Sequence, residues 1–368
     1  MVIFQRASFR VFTVLLAGML LLIAPTSLVF GQPTTRWVCP DDFSGQELRV
    51  WNWDTYIAPN TISNFEDICN VTVDYDLFTS NEEVMAGLQQ GSRVYDIVVS
   101  TDYAVALMIG SGLLQPLNHA AIPNMVNIAS TLENPPFDPG NVYSVPYQWG
   151  TIGVGYNSAK TGEITSWQQI FDYNGPVAWL NDQRIMIDIA LKMIGLEPNS
   201  TSAEELAAAR DFLIAHSGNV LAIADDDGQA LLSAGYVDIA VEYSGDIFQI
   251  LLECECQNFA YAIPVEGALL WTDNLVIPVN APNPALAHAF IDYILDPRVG
   301  ADISNYIAFA TPNEAAMEYG YITASMLTNT AIYPPVPLRE RLFQNSTTPE
   351  SHALYAEAWE AVVAAVAR

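Results

Sequence analysis

Hydrophobic positions follow two alternating periods along the first third of the chain. Short apolar runs alternate with stretches in which apolar residues recur every three or four positions. Short apolar runs are typical of buried strands, and the longer period is typical of amphipathic helices. The pattern predicts strands at 48–53, 71–78 and 95–100, followed in turn by helices at 59–69, 81–91 and 102–112.

A second series of strands and helices follows. Strands are predicted at 143–147, 151–157, 177–180, 237–243 and 273–282. Helices are predicted at 166–171, 185–195, 202–216, 283–295, 297–309 and 350–366. Repeated strand–helix units predict an α/β fold, in which a mostly parallel sheet carries helices on both faces. A length of 368 residues indicates two lobes, and no low-complexity linker separates them.

The N-terminal residues 1–31 are predicted to be a secretory signal peptide. Two arginines precede an apolar run at 11–30, and Gly31 supplies a small residue for cleavage. The run is about long enough to span a membrane, so an uncleaved anchor is the alternative; Pro25 interrupts it and favours the signal. Because Cys39 lies well beyond the run, a lipoprotein is not expected. The mature chain is expected to be periplasmic or otherwise extracytoplasmic.

The charge of the chain is strongly acidic, with 13 basic against 41 acidic residues and a net charge of −28. This balance argues against nucleic acid as a partner, since nucleic acid requires basic patches. An acidic cleft can concentrate cationic ligands, but an acidic surface also serves solubility. Net charge alone leaves both explanations open.

The chain has four cysteines, and export to an oxidising compartment would allow them to form disulfides. Cys39 and Cys69 are predicted to bridge the N-terminal segment to the end of the first helix. Cys254 and Cys256 could close a tight loop or remain reduced. A metal site would need further ligands at suitable spacing, which the sequence does not show.

Sequence motifs of common catalytic and cofactor sites are absent. The chain has no phosphate-binding loop, dinucleotide fingerprint, nucleophile elbow or HExxH motif, and its four histidines are scattered. Gly153 and Gly155 lie inside a predicted strand, where close backbone packing explains them better than a ligand does. No cofactor is expected, and binding explains the polar clusters better than catalysis.

Carboxylates and aromatic residues cluster where several predicted strands end. These clusters lie at 53–56, 100–103, 181–182, 242–246 and 271–273. Ligands of open α/β sheets collect beyond the carboxyl ends of strands, so the clusters are expected to converge on one crevice. Trp271 and Tyr243 would also suit an apolar core. Asp182 and Asp246 would also serve as helix N-caps.

This pairing of carboxylates with rings suits alkylammonium groups. Each charge-assisted hydrogen bond from an ammonium to a carboxylate is worth about 1.5–3 kcal/mol. A desolvated cation–π contact adds about 2 kcal/mol, and each buried methylene roughly 0.8 kcal/mol. A flexible amine with two or three charges gains from all three. A sugar would require more Asn, Gln and Arg than these clusters contain.

Nearly the whole predicted mature chain, from about residue 47, resembles a known family. The matching stretches include NWDTYIAP, SNEEVMAGL, YDIVVSTDY, FDPGNVYSVPYQWGTIGVGYN, SWQQIF, VEGALLWTDNLVIP, FIDYILDPRVGADIS, ATPNEAA and IYPP. On these stretches the chain is similar to the spermidine/putrescine-binding proteins of bacterial ABC importers.

The resemblance implies a monomeric, non-enzymatic protein with two lobes that close on a polyamine and deliver it to an ABC permease. Lobe 1 would comprise 46–148 and 274–312, and lobe 2 would comprise 149–273 and 313–368. The resemblance leaves open which polyamine is preferred and which permease is the partner. Alternatives are a binder of another small cationic solute on the same fold, or an extracytoplasmic amine-processing enzyme, for which no nucleophile–base pair is evident.

The resemblance also implies a set of ligand-binding positions. Carried over residue by residue, they are Trp53, Asp54, Thr55, Tyr56, Thr101, Tyr103, Asp182, Tyr243, Asp246, Trp271, Asp273, Phe309 and Gln344. Asp273 is the central acid of the set, and Gln344 aligns only with a one-residue gap.

Two departures from the family pattern bear on the ligand. Thr55 and Ile185 stand where the family usually has carboxylates, with Asp54 displaced by one position. The expected consequence is a less acidic cleft end and a preference for a short diamine over spermidine. Asp246, which matches an acid of putrescine-type members, supports the same preference. Asp182 argues in the other direction, because it matches a spermidine-type acid.

Overall fold

The computed structural model describes residues 37–91, 94–225, 227–254 and 258–367, apart from the side chains of Glu253 and Cys254. The predicted signal peptide, Cys256 and the side chain of Cys254 therefore lie outside the described residues, and the expectations for them stay predictions. None of the described helices is both long and apolar enough to cross a membrane.

Three strand–helix units open the described chain, as the hydrophobic pattern predicts. Ser80 caps the second helix, where its side chain accepts a hydrogen bond from the backbone N–H of Glu83. The elements are β1 (Glu47–Trp53), α1 (Thr61–Cys69), β2 (Thr72–Phe78), α2 (Asn81–Gln90), β3 (Ile97–Thr101) and α3 (Asp102–Gly110).

The second series begins with a long strand, which continues through the two short strands predicted at 143–147 and 151–157. It comprises β4 (Ser144–Asn157), α4 (Ser158–Thr161), α5 (Trp167–Phe171), β5 (Val177–Leu180), α6 (Gln183–Met193), α7 (Ala203–Ala215), β6 (Val220–Ala224), α8 (Gly228–Ser233), β7 (Ile239–Tyr243), α9 (Ser244–Cys254) and β8 (Phe259–Ala262). The pattern missed β6 and β8, which are short and mostly half-buried.

The chain then returns to the first series and ends in helices. The last elements are β9 (Leu270–Val276), α10 (Pro284–Ile294), α11 (Pro297–Ile307), α12 (Glu314–Glu318), α13 (Ala324–Leu327), α14 (Val336–Arg339) and α15 (Pro349–Val366). Short 3-10 turns lie at His119–Ala121, Pro123–Asn127 and Ser217–Asn219.

The described strands form one sheet with two halves. The strand order is β2-β1-β3-β9-β4-β7-β5-β6, and β8 pairs with β4. The strands β1, β2 and β3 are parallel, as are β5, β6 and β7, whereas β9 is antiparallel to β3. From Ser144 to Thr151, β4 pairs with β9; from Ile152 onward it pairs with β7. We refer to the part on the β9 side as the first half and the part on the β7 side as the second half.

Close packing accounts for two of the three glycines of β4, Gly153 and Gly155. A Cβ at Gly153 would lie 2.4 Å from the carbonyl oxygen of Ala262, and a Cβ at Gly155 would lie 2.3 Å from Cδ1 of Ile247. The prediction that this GxG marks close packing is confirmed, at Gly153 against a backbone oxygen and at Gly155 against a side chain.

The N-terminal segment is fastened to the first half of the sheet. The predicted disulfide between Cys39 and Cys69 is present, and it joins this segment to the end of α1. The indole Nε1 of Trp37 donates a hydrogen bond of 2.8 Å to Oδ2 of Asp292 on α10. These links hold the described start of the chain against the body of the protein.

The lobe boundaries stay a prediction. One segment that was assigned to lobe 2 packs against a helix of the predicted lobe 1. Ala316 and Ile322, which were assigned to lobe 2, share a hydrophobic cluster with Ala301 of α11 in the predicted lobe 1. By contrast, α15 packs on α6 and α7 of the second half. The chain after α11 therefore contacts both halves in turn.

Candidate functional site

A cavity of about 400 Å³ is lined by residues from both halves of the sheet. Its size is within the range of small-molecule sites. Six carboxyl groups line it, and they belong to Asp54, Glu82, Asp182, Asp225, Asp246 and Asp273. Among the described residues of the cavity wall, none is Lys, Arg or His. The cavity is therefore suited to a cation and unsuited to an anion.

The carboxyl ends of the parallel strands supply most of this wall. Residues at or just after the ends of β1, β2, β3, β5, β6 and β7 all reach the cavity. The sheet topology places these ends along one edge, where ligands of open α/β sheets bind. All five clusters noted in the sequence thus meet in space, four of them at strand ends and the one at 271–273 within β9.

Asp273 is the most deeply buried carboxyl group of the wall. It lies on β9 in the centre of the sheet, opposite Thr101 of β3 and Gln148 of β4. It is 5% exposed, and its Oδ1 has no hydrogen-bond partner among the described residues. Burial raises the pKa of Asp273 to about 7, and the nearby hydroxyls of Thr101 and Tyr56 offset part of that rise. A cation entering the cavity would stabilise this carboxylate.

Four aromatic rings surround the region next to Asp273. The centroids of Trp271 and Phe309 are 5.1 Å apart, those of Tyr56 and Phe309 are 5.5 Å apart, and those of Tyr243 and Trp271 are 5.8 Å apart. All three pairs are edge-to-face, at interplanar angles of 75–79°. Ring faces and edges at this end of the cavity can contact the methylene groups and the charge of an alkylammonium.

Two glycines make room for these rings. A Cβ at Gly245 would lie 2.5 Å from ring atoms of Phe309, and a Cβ at Gly150 would lie 2.7 Å from the indole of Trp271. Neither distance is compatible with a side chain larger than hydrogen unless a ring moves. The glycines therefore set the positions of Trp271 and Phe309 in the wall.

A second acidic group lies at the carboxyl end of β5. Asp182 caps α6 and accepts hydrogen bonds from the backbone N–H groups of Arg184 and Ile185 at 2.8 and 3.0 Å. Burial, together with the negative charge of Glu82, raises the pKa of Asp182 to about 6. The hydroxyl of Tyr103 donates to Oε1 of Glu82 at 3.4 Å. Asp182 is thus both the predicted helix cap and part of the cavity wall.

The structure brings eleven of the thirteen predicted site residues to the cavity. They are Trp53, Asp54, Tyr56, Thr101, Tyr103, Asp182, Tyr243, Asp246, Trp271, Asp273 and Phe309. Thr55 and Gln344 do not line it: both are exposed, and Thr55 lies in a turn with a positive φ of 51°. Whether any of these residues contacts a ligand stays a prediction.

Ile185 does not face the cavity, so the interpretation that this position makes the cleft less acidic is wrong. Its side chain is 2% exposed and belongs to the main hydrophobic core. The helix that begins after Asp182 turns position 185 inward, away from the cavity. Position 185 therefore gives no reason to prefer a short diamine.

Several wall residues were missed by the sequence reasoning. Glu82 follows β2 in a strand-end cluster of the same kind as the others, and the SNEE stretch could have revealed it. Asp225 follows β6, a strand that the hydrophobic pattern did not detect. Trp359 lies on α15, and no local signal connects it with the strand ends.

Comparison with known proteins identifies the family. Residues 60–329 match the family described as bacterial extracellular solute-binding protein. The chain belongs to this family. Among its relatives, the putrescine/cadaverine-binding protein of Pseudomonas aeruginosa is 31% identical over 313 residues, which cover 81% of this chain and 88% of that protein. The putrescine-binding periplasmic protein PotF of Escherichia coli is 31% identical over 317 residues, which cover 80% and 85%.

Solved structures agree with this assignment. The spermidine/putrescine ABC transporter substrate-binding protein PotD of Streptococcus pneumoniae superposes with a TM-score of 0.75 at 29% identity, covering 88% of this chain and 100% of that one. The resemblance seen in the sequence and the two-lobed α/β fold are thereby confirmed. This is a family of extracellular solute-binding proteins and not an enzyme family.

Proposed function

We propose that this protein captures a polyamine outside the cytoplasm and delivers it to an ABC permease for import. The observation that carries the proposal is the cavity wall, in which six carboxyl groups and no described basic side chain surround a space of about 400 Å³. A ligand with several positive charges would neutralise these groups. A neutral sugar would supply no positive charge to balance them.

The rings support an amine with a hydrocarbon chain over an inorganic cation. Tyr56, Tyr243, Trp271 and Phe309 form an apolar and π-rich enclosure beside Asp273. Each methylene buried against such rings contributes roughly 0.8 kcal/mol. Among the described residues, no group of acidic, histidine or cysteine side chains has the arrangement of a metal site. A polyamine uses the acids and the rings at once.

The relatives named above as putrescine-binding or spermidine/putrescine-binding proteins support the same ligand class.

The topology supports capture by closure of two lobes. Residues 144–157 of β4 run from one half of the sheet into the other, and β9 brings the chain back. Small rotations within these strands would bring the two walls of the cavity together, as in hinged binding proteins.

Isothermal titration of the purified mature protein would test this proposal. We expect saturable binding of putrescine, cadaverine, spermidine or agmatine with micromolar or better affinity, and no binding of neutral sugars. Thiamine, as a cation of a different class, would reveal another cationic solute as the ligand. If no member of the amine series binds while another solute does, the proposed ligand class is wrong.

A further inference from the structure

Asp225 occupies the rim of the cavity at the carboxyl end of β6. It lines the cavity and is exposed, unlike the buried Asp273 in the centre. Its neighbour two residues along, Asp227, is also exposed but does not line the cavity. The two acids carry the same charge, but only Asp225 lines the cavity, so Asp227 is a matched control for it.

The position of Asp225 is fixed by two side chains behind it. The indole Nε1 of Trp359 donates to Oδ1 of Asn181 at 3.0 Å, and Nδ2 of Asn181 donates to Oδ1 of Asp225 at 2.7 Å. Trp359 belongs to the C-terminal helix and is itself buried. Because an ionised carboxylate offers about four acceptor sites, the bond from Asn181 leaves capacity for an ammonium.

Asp225 is grouped with two other acids at this end of the cavity. Asn181, which holds it, immediately precedes Asp182, and the charge of Glu82 acts on Asp182. The rings of Tyr103 and Trp359 line the same cavity. Independently of this group, Asp273 at the other end has a buried Oδ1 with no hydrogen-bond partner among the described residues, so this oxygen can accept a bond from an ammonium. The cavity thus has two acidic ends.

The two ends lie far apart in the sheet. β6 is four positions from β9 in the strand order, which is at most about 19 Å at about 4.8 Å per strand, because curling of the sheet shortens the distance. An extended diamine with four methylenes spans only about 6 Å between its nitrogens, at roughly 1.2 Å per bond. A triamine with three and four methylenes spans about 11 Å on the same basis. When one ammonium is bound at Asp273, the triamine extends much farther towards Asp225 than the diamine does.

We propose that Asp225, held by Asn181 and Trp359, is a specificity-determining residue: with Glu82 and Asp182 it binds the outer ammonium of a polyamine anchored at Asp273, and so favours triamines over diamines. This inference rests on the proposed function, since it assigns a ligand length to the same cavity. It reverses the preference for a short diamine that the sequence suggested.

The test compares Asp225→Asn with the matched control Asp227→Asn by titration of spermidine and putrescine at one pH and salt concentration. Asp225→Asn keeps an acceptor for Asn181 but removes the charge. We expect spermidine affinity to fall at least tenfold more than putrescine affinity in Asp225→Asn. We expect the ratio of the two affinities to change less than twofold in Asp227→Asn. Equal losses for both ligands, or no loss, would overturn the inference.

Trp359→Phe provides a second variant that keeps a ring but removes the indole N–H donor. Its far-ultraviolet circular dichroism should match that of the wild type, and the spermidine-to-putrescine affinity ratio should fall at least threefold. An unchanged ratio would show that Trp359 does not position Asp225. If the wild type binds neither amine, the proposed function itself fails; if it binds both and the variants leave the ratio unchanged, only this inference fails.

Discussion

Replacement of Asp273 by Asn should affect ligand binding and ligand-free stability in opposite directions. In the complex, Asp273 would pair with an ammonium inside a cavity from which closure removes water. Removing one partner of a buried charge pair costs about 3–5 kcal/mol. We therefore expect Asp273→Asn to weaken polyamine binding by two to three orders of magnitude.

In the ligand-free protein, the ionised carboxylate of Asp273 lowers the free energy of unfolding. Its pKa in the folded state is about 7, against 3.8 for an ordinary aspartate, and the difference corresponds to about 4 kcal/mol. Because the folded-state pKa is the higher one, this cost is absent below pH 4 and fully present above about pH 7. Asn cannot ionise, although its buried amide costs about 1–3 kcal/mol if it finds no partner. The expected net effect at pH 8 is a stabilisation of about 1–3 kcal/mol.

Urea denaturation of the ligand-free proteins at pH 8 and pH 4, with titration calorimetry at pH 8, measures both effects. The stability advantage of Asp273→Asn should shrink or vanish at pH 4, where the wild-type carboxyl is protonated. Asp67→Asn, at an exposed position of α1, is the control and should change neither property. A variant that is less stable than the wild type at both pH values, or that binds within threefold of it, would contradict the assignment of Asp273 as an unpaired anchor for a cation.

Three further outcomes are expected. Polyamine affinity should fall as the pH is lowered from 8 to 5, because Asp273 and Asp182, with pKa values of about 7 and 6, take up protons that the ligand must displace. Calorimetry in buffers of different ionisation enthalpy would detect the released protons, and a flat pH profile would contradict the expectation. Gly245→Ala should weaken binding at least tenfold, since its Cβ would lie 2.5 Å from the Phe309 ring, whereas Gly218→Ala, with open space around it, should bind like the wild type. Saturating polyamine should reduce the radius of gyration in X-ray scattering and raise the melting temperature, and superimposable scattering profiles would argue against lobe closure.

The sequence by itself determined the elements of the fold and most of the chemistry of the cavity. Apolar runs and amphipathic periods are local properties, so they located most strands and helices and, with them, the strand ends. Since parallel strands present their carboxyl ends at one edge, residues such as Trp53, Tyr103 and Asp182 could be grouped before their positions were known. Eleven of the thirteen residues that the family resemblance implied line the cavity.

Only the tertiary structure decided which face of a helix and which distant elements meet at the cavity. Ile185 is three residues from Asp182, yet the turn of α6 sends one side chain into the core and leaves the other at the cavity. Trp359 reaches the wall because α15 packs on the second half of the sheet, a contact across 178 positions from Asn181. Such pairings depend on how whole elements pack against one another. The pattern of residues along the chain specifies the buried face of each element but does not specify its partner, so the long-range part of the site emerges only in the folded protein.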